Sequence, residues 1–393
     1  MRGHAGEFDF SGAFLTSFCF IPSPRHMPRL HAGVGAFLRV AYFTLIGVTV
    51  VHPVPDTDVR PVAKHRPALK LVKTQDLGRD QWLEVRKRGI GSSDAAAAVG
   101  LNPYQSQLAL WLQKTGRDTA PASDPLDTSA SDCFQEDLSP MYWGSLLEPI
   151  VAAHYTRRTG NRVRRINAVL QHPEHPWMLA NIDREVIGAA DVQLLECKTA
   201  GIQGARLWRD GVPEYVQLQV QHQLAVTGKQ AADVAVLLGG QELQVFRIER
   251  DDELIDKLIA LEREFWGYVE RDQQPPADGS DSADAALRTL YPRDSGETLD
   301  LQHDLVMGGV FCDLLAVREV LAANTALEAQ LKQAIQQRMG NASLAIFENG
   351  EVSFKRSKDG ATLDAARLRL DKPEIAQAYT IPKPGSRRFL VHT

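Results

Sequence analysis

Leu179–Lys198 reads LANIDREVIGAADVQLLECK. Two runs rich in aliphatic residues flank Gly188-Ala189-Ala190. That pattern predicts a β-hairpin with arms near Met178–Val186 and Asp191–Lys198. Along a strand the side chains alternate faces, so Glu196 and Lys198 project to one side and Leu195 and Cys197 to the other. Asp183 on the first arm reaches the face of Glu196. Two carboxylates one ion apart bind a hard divalent cation such as Mg²⁺, and a neighbouring ammonium positions a water or stabilises an oxyanion. Glu-x-Lys is equally the composition of a solvated, salt-bridged strand face. What sets this copy apart is its context. Asp183 lies upstream, Glu148 sits on a preceding helix, and a glutamine-rich helix follows.

The chain has 393 residues, enough for two or three domains. Hydrophobic residues make up 44% and charged residues 24%, the balance of a soluble globular protein. The net charge of -5 rules out a global basic field, although metals and a few local cations still suffice to hold phosphates. Cys19, Cys133, Cys197 and Cys312 show no CxxC spacing, which argues against a disulfide framework or a zinc site and for a reducing cytoplasm.

Residues 1–70 read as a poorly structured extension. Val34–Val51 (VGAFLRVAYFTLIGVTVV) is apolar apart from Arg39 and is long enough for a membrane span. It starts late for a signal peptide, and the preferred reading is translated upstream sequence with no folded role. Residues 71–276 form the main domain. Gln75–Lys87 has helical spacing with Trp82 and Val85 on one side. In the following Arg88-Gly89-Ile90-Gly91-Ser92-Ser93-Asp94 the glycines turn the chain, and Ser92, Ser93 or Asp94 caps an alanine-rich helix. A helix start with free N–H groups beside Arg86 and Arg88 also suits a phosphate. Leu108–Lys114 is a short helix stopped by Gly116. Residues 117–140 read as an exposed loop.

Trp143-Gly144 opens a helix over Ser145–Thr159, with Leu147, Ile150, Val151 and Tyr155 as its buried stripe and Glu148 in its first turn, where the helix dipole also favours a glutamate. Val212–Gly228 (VPEYVQLQVQHQLAVTG) is a helix starting near Pro213. Gln219 and His222 lie on one side, where they could be polar surface, and Gln223 falls mostly with Val216, Val220 and Leu224. Ala232–Leu238 and Glu242–Glu249 read as paired strands, and Leu254–Val269 as an amphipathic helix. This order predicts an α/β layer arrangement around one sheet. Residues 277–300 read as a linker. In the C-terminal region, 301–393, Leu305–Arg338 is helical, as a hairpin or coiled coil, and Leu344–Lys355 is a β-hairpin turning at Asn349-Gly350. The basic Gly385–Phe389 stretch reads as a sheet-edge strand or, alternatively, a DNA-backbone contact.

GIGSSDAAAAVGLNPY, WGSLLEPIVAAHY, LANIDREV, LLECKTAG, VPEYVQLQVQHQLAVTG and the Phe265-Trp266 helix occur in this order. Together they resemble the YqaJ-like viral recombinase family, phage-type alkaline exonucleases similar to lambda exonuclease within the PD-(D/E)XK nuclease superfamily. The resemblance spans Leu71 to Pro276. It implies a restriction-endonuclease-like α/β core, a central mixed sheet flanked by helices, here with a C-terminal helical and β-hairpin extension. It further implies a Mg²⁺-dependent deoxyribonuclease, with Mn²⁺ as a substitute. Such an enzyme digests linear double-stranded DNA ends 5′→3′, supplies a single-strand annealing protein, and assembles as a ring-like trimer.

By position, the resemblance makes Asp183 and Glu196 metal ligands, together with the carbonyl of Cys197. Lys198 orients the attacking water, Glu148 completes the acidic site, and Gln219 lies near the metal. Arg86 and Ser93 grip a terminal 5′-phosphate. Asn181-Ile182-Asp183 departs from the family's pattern, since many superfamily members carry Pro before the Asp; Asn181 can still donate a hydrogen bond to substrate. Arg206 is the near candidate for a second phosphate-binding arginine. Two other classes stay open: a non-catalytic DNA-binding or assembly protein of the same fold, and metal-assisted hydrolysis of another phosphate ester. The joint presence of Asp183, Glu196 and Lys198 argues for the nuclease.

Overall fold

The computed structural model describes residues 66–74, 78–118, 140–381 and 385–392. The Val34–Val51 run and most of the 117–140 loop lie outside these residues. Among the described residues no helix is long and apolar enough to cross a membrane. The described chain divides into two units, residues 66–296 with 385–392, and residues 297–381.

In the first unit the strands are β1 (Leu69–Lys73), β2 (Ile90–Gly91), β3 (Arg162–Arg164), β4 (Ala168–Gln171), β5 (Met178–Ala180), β6 (Arg184–Ile187), β7 (Leu194–Ala200), β8 (Ala231–Leu238) and β9 (Glu242–Glu249). The helices are α1 (Arg79–Lys87), α2 (Ala95–Ala98), α3 (Gln107–Thr115), α4 (Pro140–Thr159), α5 (Glu214–Thr227), α6 (Asp252–Glu270) and α7 (Asp281–Leu290). A mixed five-stranded sheet runs β3-β6-β7-β8-β9, and a four-stranded sheet runs β1-β4-β5-β2. The mixed α/β architecture is therefore as expected, but with two sheets where the sequence predicts one. β1 begins at Leu69, so the folded unit starts ahead of the expected boundary at Leu71.

The predicted 178–198 hairpin is divided between these sheets. Met178 and Leu179 pair in parallel with Ile90 and Gly91, and Ala180 pairs with Leu170. Only Arg184 and Glu185 pair with Leu195 and Leu194. The chain changes sheet at Asn181-Ile182-Asp183, with Ile182 buried as the pivot. Trp177 and Leu179 also explain one glycine. A Cβ on Gly89 would stand 2.4 Å from the Trp177 carbonyl oxygen, so only glycine lets Ile90 N–H reach that carbonyl at 2.7 Å.

Alternation along β7 sends its residues to two cores. Leu194 joins Val216, Val220, Leu224, Ala232, Val234 and Phe265 beneath α5 and α6. Leu195 joins Val151, Tyr155, Val186 and Ala235 beneath α4. In α4 the buried face is Val151, Ala152 and Tyr155, whereas Ile150 is exposed; the helix also starts earlier than expected, at Pro140. β7 and β8 are parallel, and α5 makes the crossover between them. Pro213 precedes α5, and Gly228 ends it at φ 68. Sandwiched between sheet and helix, α5 buries almost every residue from Val216 to Val226, including His222. The surface reading of Gln219 and His222 is thereby overturned.

The expected 277–300 linker contains α7, whose Ala283 and Ala286 are buried and whose Ser282 hydroxyl accepts from Ser106 N–H at 2.9 Å. Residues 385–392 are irregular, not a strand, and Arg387 donates to the Tyr291 carbonyl at 3.3 Å. The second unit holds one continuous helix, α8 (Leu305–Met339), the hairpin of β10 (Leu344–Phe347) and β11 (Gly350–Ser353), and the short helices α9 (Ala365–Asp371) and α10 (Pro373–Ala378). Phe347 pairs with Gly350, so the turn is Glu348-Asn349, one residue earlier than expected. None of this unit's described residues is buried.

Candidate active site

The site forms where β6 leaves β7. Their pairing ends at Arg184 and Leu195, while β7 stays paired to β8 as far as Ala200. Past Leu195, the edge of β7 that faced β6 is open. Asp183 closes it with a side chain: its Oδ2 accepts Cys197 N–H at 2.8 Å. In a strand the N–H and C=O of one residue point to the same side. The Cys197 carbonyl is thus directed to the Asp183 side as well.

Glu196 is buried on the face toward α5. Its Oε1 accepts Gln219 Nε2 at 2.6 Å and lies 2.8 Å from Lys198 Nζ. Its Oε2 accepts Gln223 Nε2 at 2.7 Å. Lys198 Nζ also donates to Gln219 Oε1 at 2.8 Å. One turn of α5 therefore holds both oxygens of a strand carboxylate. Gln223 was grouped with the apolar side in the sequence; a helix buried on all sides has no periodicity that separates a core position from a ligand-orienting one.

Charge is unevenly compensated here. The Asp183 carboxyl is pushed well above the usual carboxylate range, first by burial and then by the neighbouring Glu196 carboxylate. Burial also pulls the Lys198 ammonium down, but Glu196 together with Asp183 outweighs it and the net displacement is upward. Glu148 is close enough to add to the repulsion on Asp183, yet its Oε1 is bonded to Arg184, with Arg165 at 4.0 Å. Arg184, buried and donating also to the Asp183 carbonyl at 2.6 Å, was not singled out in the sequence.

These facts test a divalent cation against the residues. Among the described residues no three His, Cys, Asp or Glu side chains come together as a metal site. Glu148, expected to complete the acidic site, lies near enough to act on Asp183 and is bonded to Arg184. The set that fits is Asp183, Glu196 and the Cys197 carbonyl, all hard oxygens, with remaining positions left to water and substrate as Mg²⁺ requires. A buried carboxyl whose ionisation is disfavoured by burial and by a neighbouring carboxylate is the electrostatic complement of such an ion.

Arg86 and Ser93 are also brought together. Arg86 Nη2 meets Ser93 Oγ at 3.0 Å and Asp94 Oδ1 at 2.6 Å. Behind them, buried Asp94 accepts Lys114 Nζ at 2.6 Å and Gly91 N–H at 3.0 Å. Asp94 is thus the anchor of the cluster, and Lys114 was missed because one buried lysine leaves no sequence pattern. Arg86, Ser93 and Asn181 line one cavity of about 30 Å³. Asn181 also lines a neighbouring cleft of about 440 Å³ with Asp183, Glu148, Trp82 and Arg165. The Arg86 cluster and the carboxylates therefore meet across Asn181. Arg206 is exposed in the 204–208 turn and lines neither.

A model of the YqaJ-like viral recombinase domain matches residues 81–230. Over 313 residues the chain is 34% identical to the Bacillus subtilis (strain 168) "Uncharacterized protein YqaJ", covering 78% of this chain and 92% of that protein. The chain belongs to the YqaJ-like viral recombinase family. The sequence match spans Asp183, Glu196, Lys198 and Gln219, so the site described above lies inside the YqaJ-like domain. Solved structures similar to this family member include the alkaline exonuclease LHK-Exo from Laribacter hongkongensis (22% identity, 49% of this chain and 93% of that chain, TM-score 0.36). LHK-Exo in complex with dAMP is similar at 24% identity and TM-score 0.38. A phage-related exonuclease from Haemophilus somnus 129PT is similar at 12% identity, over 47% of this chain and 94% of that chain, with a TM-score of 0.31. The family assignment rests on the sequence matches.

Proposed function

We propose that this YqaJ-like protein is a divalent-metal-dependent deoxyribonuclease that digests linear duplex DNA from its 5′ ends. The observation that carries this reading is the convergence on Glu196. Lys198 and Gln219 share its Oε1, Gln223 holds its Oε2, and Asp183 sits across the splayed strand edge. A salt-bridged surface strand needs none of this burial. When bound, Mg²⁺ or Mn²⁺ offsets negative charge on the phosphate and eases ionisation of a water. Asp183, Glu196 and the Cys197 carbonyl would hold the ion. Gln219 and Gln223 fix the Glu196 carboxylate. Lys198 donates a hydrogen bond to the water or to a phosphate oxygen, and its ammonium is placed to stabilise developing negative charge. The single strands produced suit an annealing protein. Incubation with linear and covalently closed duplexes, with Mg²⁺ or with chelator, tests the reading. Mg²⁺-dependent loss of the linear form alone is expected. Folded protein that releases no nucleotides from linear duplex would leave the non-catalytic binding module in its place.

Polarity follows from the Arg86 cluster. A terminal 5′-phosphate carries more negative charge than an internal phosphodiester, so it gains more from a guanidinium beside a hydroxyl. Duplexes with 5′-phosphate ends are expected to be digested faster than matched 5′-hydroxyl ends. Arg86→Ala should shrink that ratio about tenfold, the worth of roughly one charge-assisted hydrogen bond. Equal rates in the parent protein, or an unchanged ratio in the variant, would reduce the cluster to a structural turn.

A further inference from the structure

His222 and Glu262 form a pair that the proposed chemistry does not use. Both side chains are fully buried. His222 Nδ1 lies 2.7 Å from Glu262 Oε1 on α6, and its Nε2 lies 2.9 Å from the Leu179 carbonyl on β5. A carbonyl only accepts, so Nε2 carries hydrogen. An ionised carboxylate also only accepts, so Nδ1 carries the second. A neutral imidazole has one N–H and cannot satisfy both, so the pair as a unit retains an extra proton. The Glu262 Oε2 atom has no hydrogen-bond partner among the described residues, and its Oε1 faces His222.

The position of the pair gives it a consequence. His222 follows Gln219 by three residues and precedes Gln223 by one, so the three lie on one turn of α5. Leu179 precedes Asn181 by two residues and Asp183 by four. Resting on the nuclease reading above, we propose that His222, as an imidazolium clamped between Glu262 and the Leu179 carbonyl, is a positioning residue. It locks the turn that orients Glu196 against the strand that delivers Asn181 and Asp183. The charged and titratable groups facing it are Glu262 from α6, Asp94 from the 92–94 turn and His172 from the end of β4. Asp94 is occupied by Lys114 and Arg86, and His172 is held down to about 4 by burial and then by His175, so it is uncharged near neutrality. Burial opposes the charge on His222, but Glu262, the Leu179 carbonyl and Asp94 together outweigh burial and hold the proton more tightly than in the unfolded chain. The clamp is therefore intact below the unfolded value near 6.5 and is lost as pH rises through the higher folded value.

Glu262→Gln separates the proton from the geometry. A glutamine amide donates to Nδ1 of a neutral imidazole whose Nε2–H still serves Leu179, so the clamp persists without the charge. Ring ¹⁵N NMR of the full chain at neutral pH should show both His222 nitrogens protonated in the parent and one in Glu262→Gln. Melting temperature should fall more steeply from neutral to alkaline pH in the parent than in Glu262→Gln. His222→Phe, which breaks the clamp, should lower kcat on linear duplex by about tenfold or more, with KM for DNA changed less than threefold, as expected when an interaction made in the transition state is lost. If His222→Phe does not fold, the ratio of Glu262→Gln to parent kcat should rise with pH into the alkaline range instead. A singly protonated His222 in the parent overturns the clamp. A confirmed clamp with kcat unmoved in His222→Phe, or a flat ratio, overturns the positioning role. A parent that cleaves no DNA overturns the positioning role through the nuclease reading, and NMR and melting still decide the clamp.

Discussion

Asp183→Asn is expected to abolish digestion of linear duplex while raising the melting temperature of the metal-free protein. The two effects have one origin. Asp183 and Glu196 repel each other across the strand edge, and burial sharpens the repulsion. Asparagine retains the acceptor for Cys197 N–H and the shape of the side chain, so the backbone contact survives. It removes one of the two charges proposed to hold a cation. Losing a group that merely orients a metal ligand costs 10–100-fold, so losing the ligand itself should cost more than about 100-fold. Asp183 is half-buried, which tempers the gain in stability to about 1 kcal/mol. The measurement pairs a nuclease assay with thermal melting, both in chelator and in Mg²⁺. Added Mg²⁺ should stabilise the parent and leave the variant unmoved. A variant that cuts at the parental rate would remove Asp183 from the site.

Asp94→Ala is expected to produce the largest loss of stability among the polar clusters described. The Asp94 and Lys114 side chains are each 4% exposed and 2.6 Å apart. Breaking a buried ion pair by removing one partner strands the other charge and costs about 3–5 kcal/mol. Asp94→Ala also strips acceptors from Arg86 and from Gly91 N–H. Asp94→Ala with Lys114→Met should recover part of the loss, because no buried ammonium then remains unpaired. Burial opposes ionisation of Asp94, yet Lys114 and Arg86 hold its carboxyl below the ordinary value of 3.8. Its contribution is thus complete above that value and is lost as pH falls through the depressed folded one. Urea unfolding at neutral pH checks the first claim. A change smaller than about 1 kcal/mol, the worth of one ordinary hydrogen bond, would sink it.

Much of the fold is legible in the sequence. Alternation in Leu194–Lys198 placed Glu196 and Lys198 on one face, and Pro213 and Gly228 bounded α5 to within a residue. What could not be read was partnership. Met178–Ala180 and Arg184–Ile187 are equally strand-like, and nothing local says that the first pairs with β2 and β4 while the second pairs with β3 and β7. Those contacts are distant in sequence, and register is decided by burial on both sheets. The same limit hid part of the site. Gln223, Lys114 and His222 gain their roles from partners on other elements, Glu196, Asp94 and Glu262. Glu148 shows the reverse case. Its place near Asp183 was anticipated from the family resemblance, but Arg184, which occupies it, carries no distinguishing pattern.

The Cys197 amide has a use of its own. Within the strand it is an interior amide, yet its acceptor is a side-chain carboxylate and not a neighbouring backbone. Its hydrogen exchange and proton chemical shift therefore report on one carboxyl group, where other β7 amides report on the sheet. A cation drawing on Asp183 would move this single resonance. So would protonation of that carboxyl, in a direction set by the weaker acceptor that results. The loading of the site could then be followed in solution without substrate, without turnover and without a probe attached to the protein.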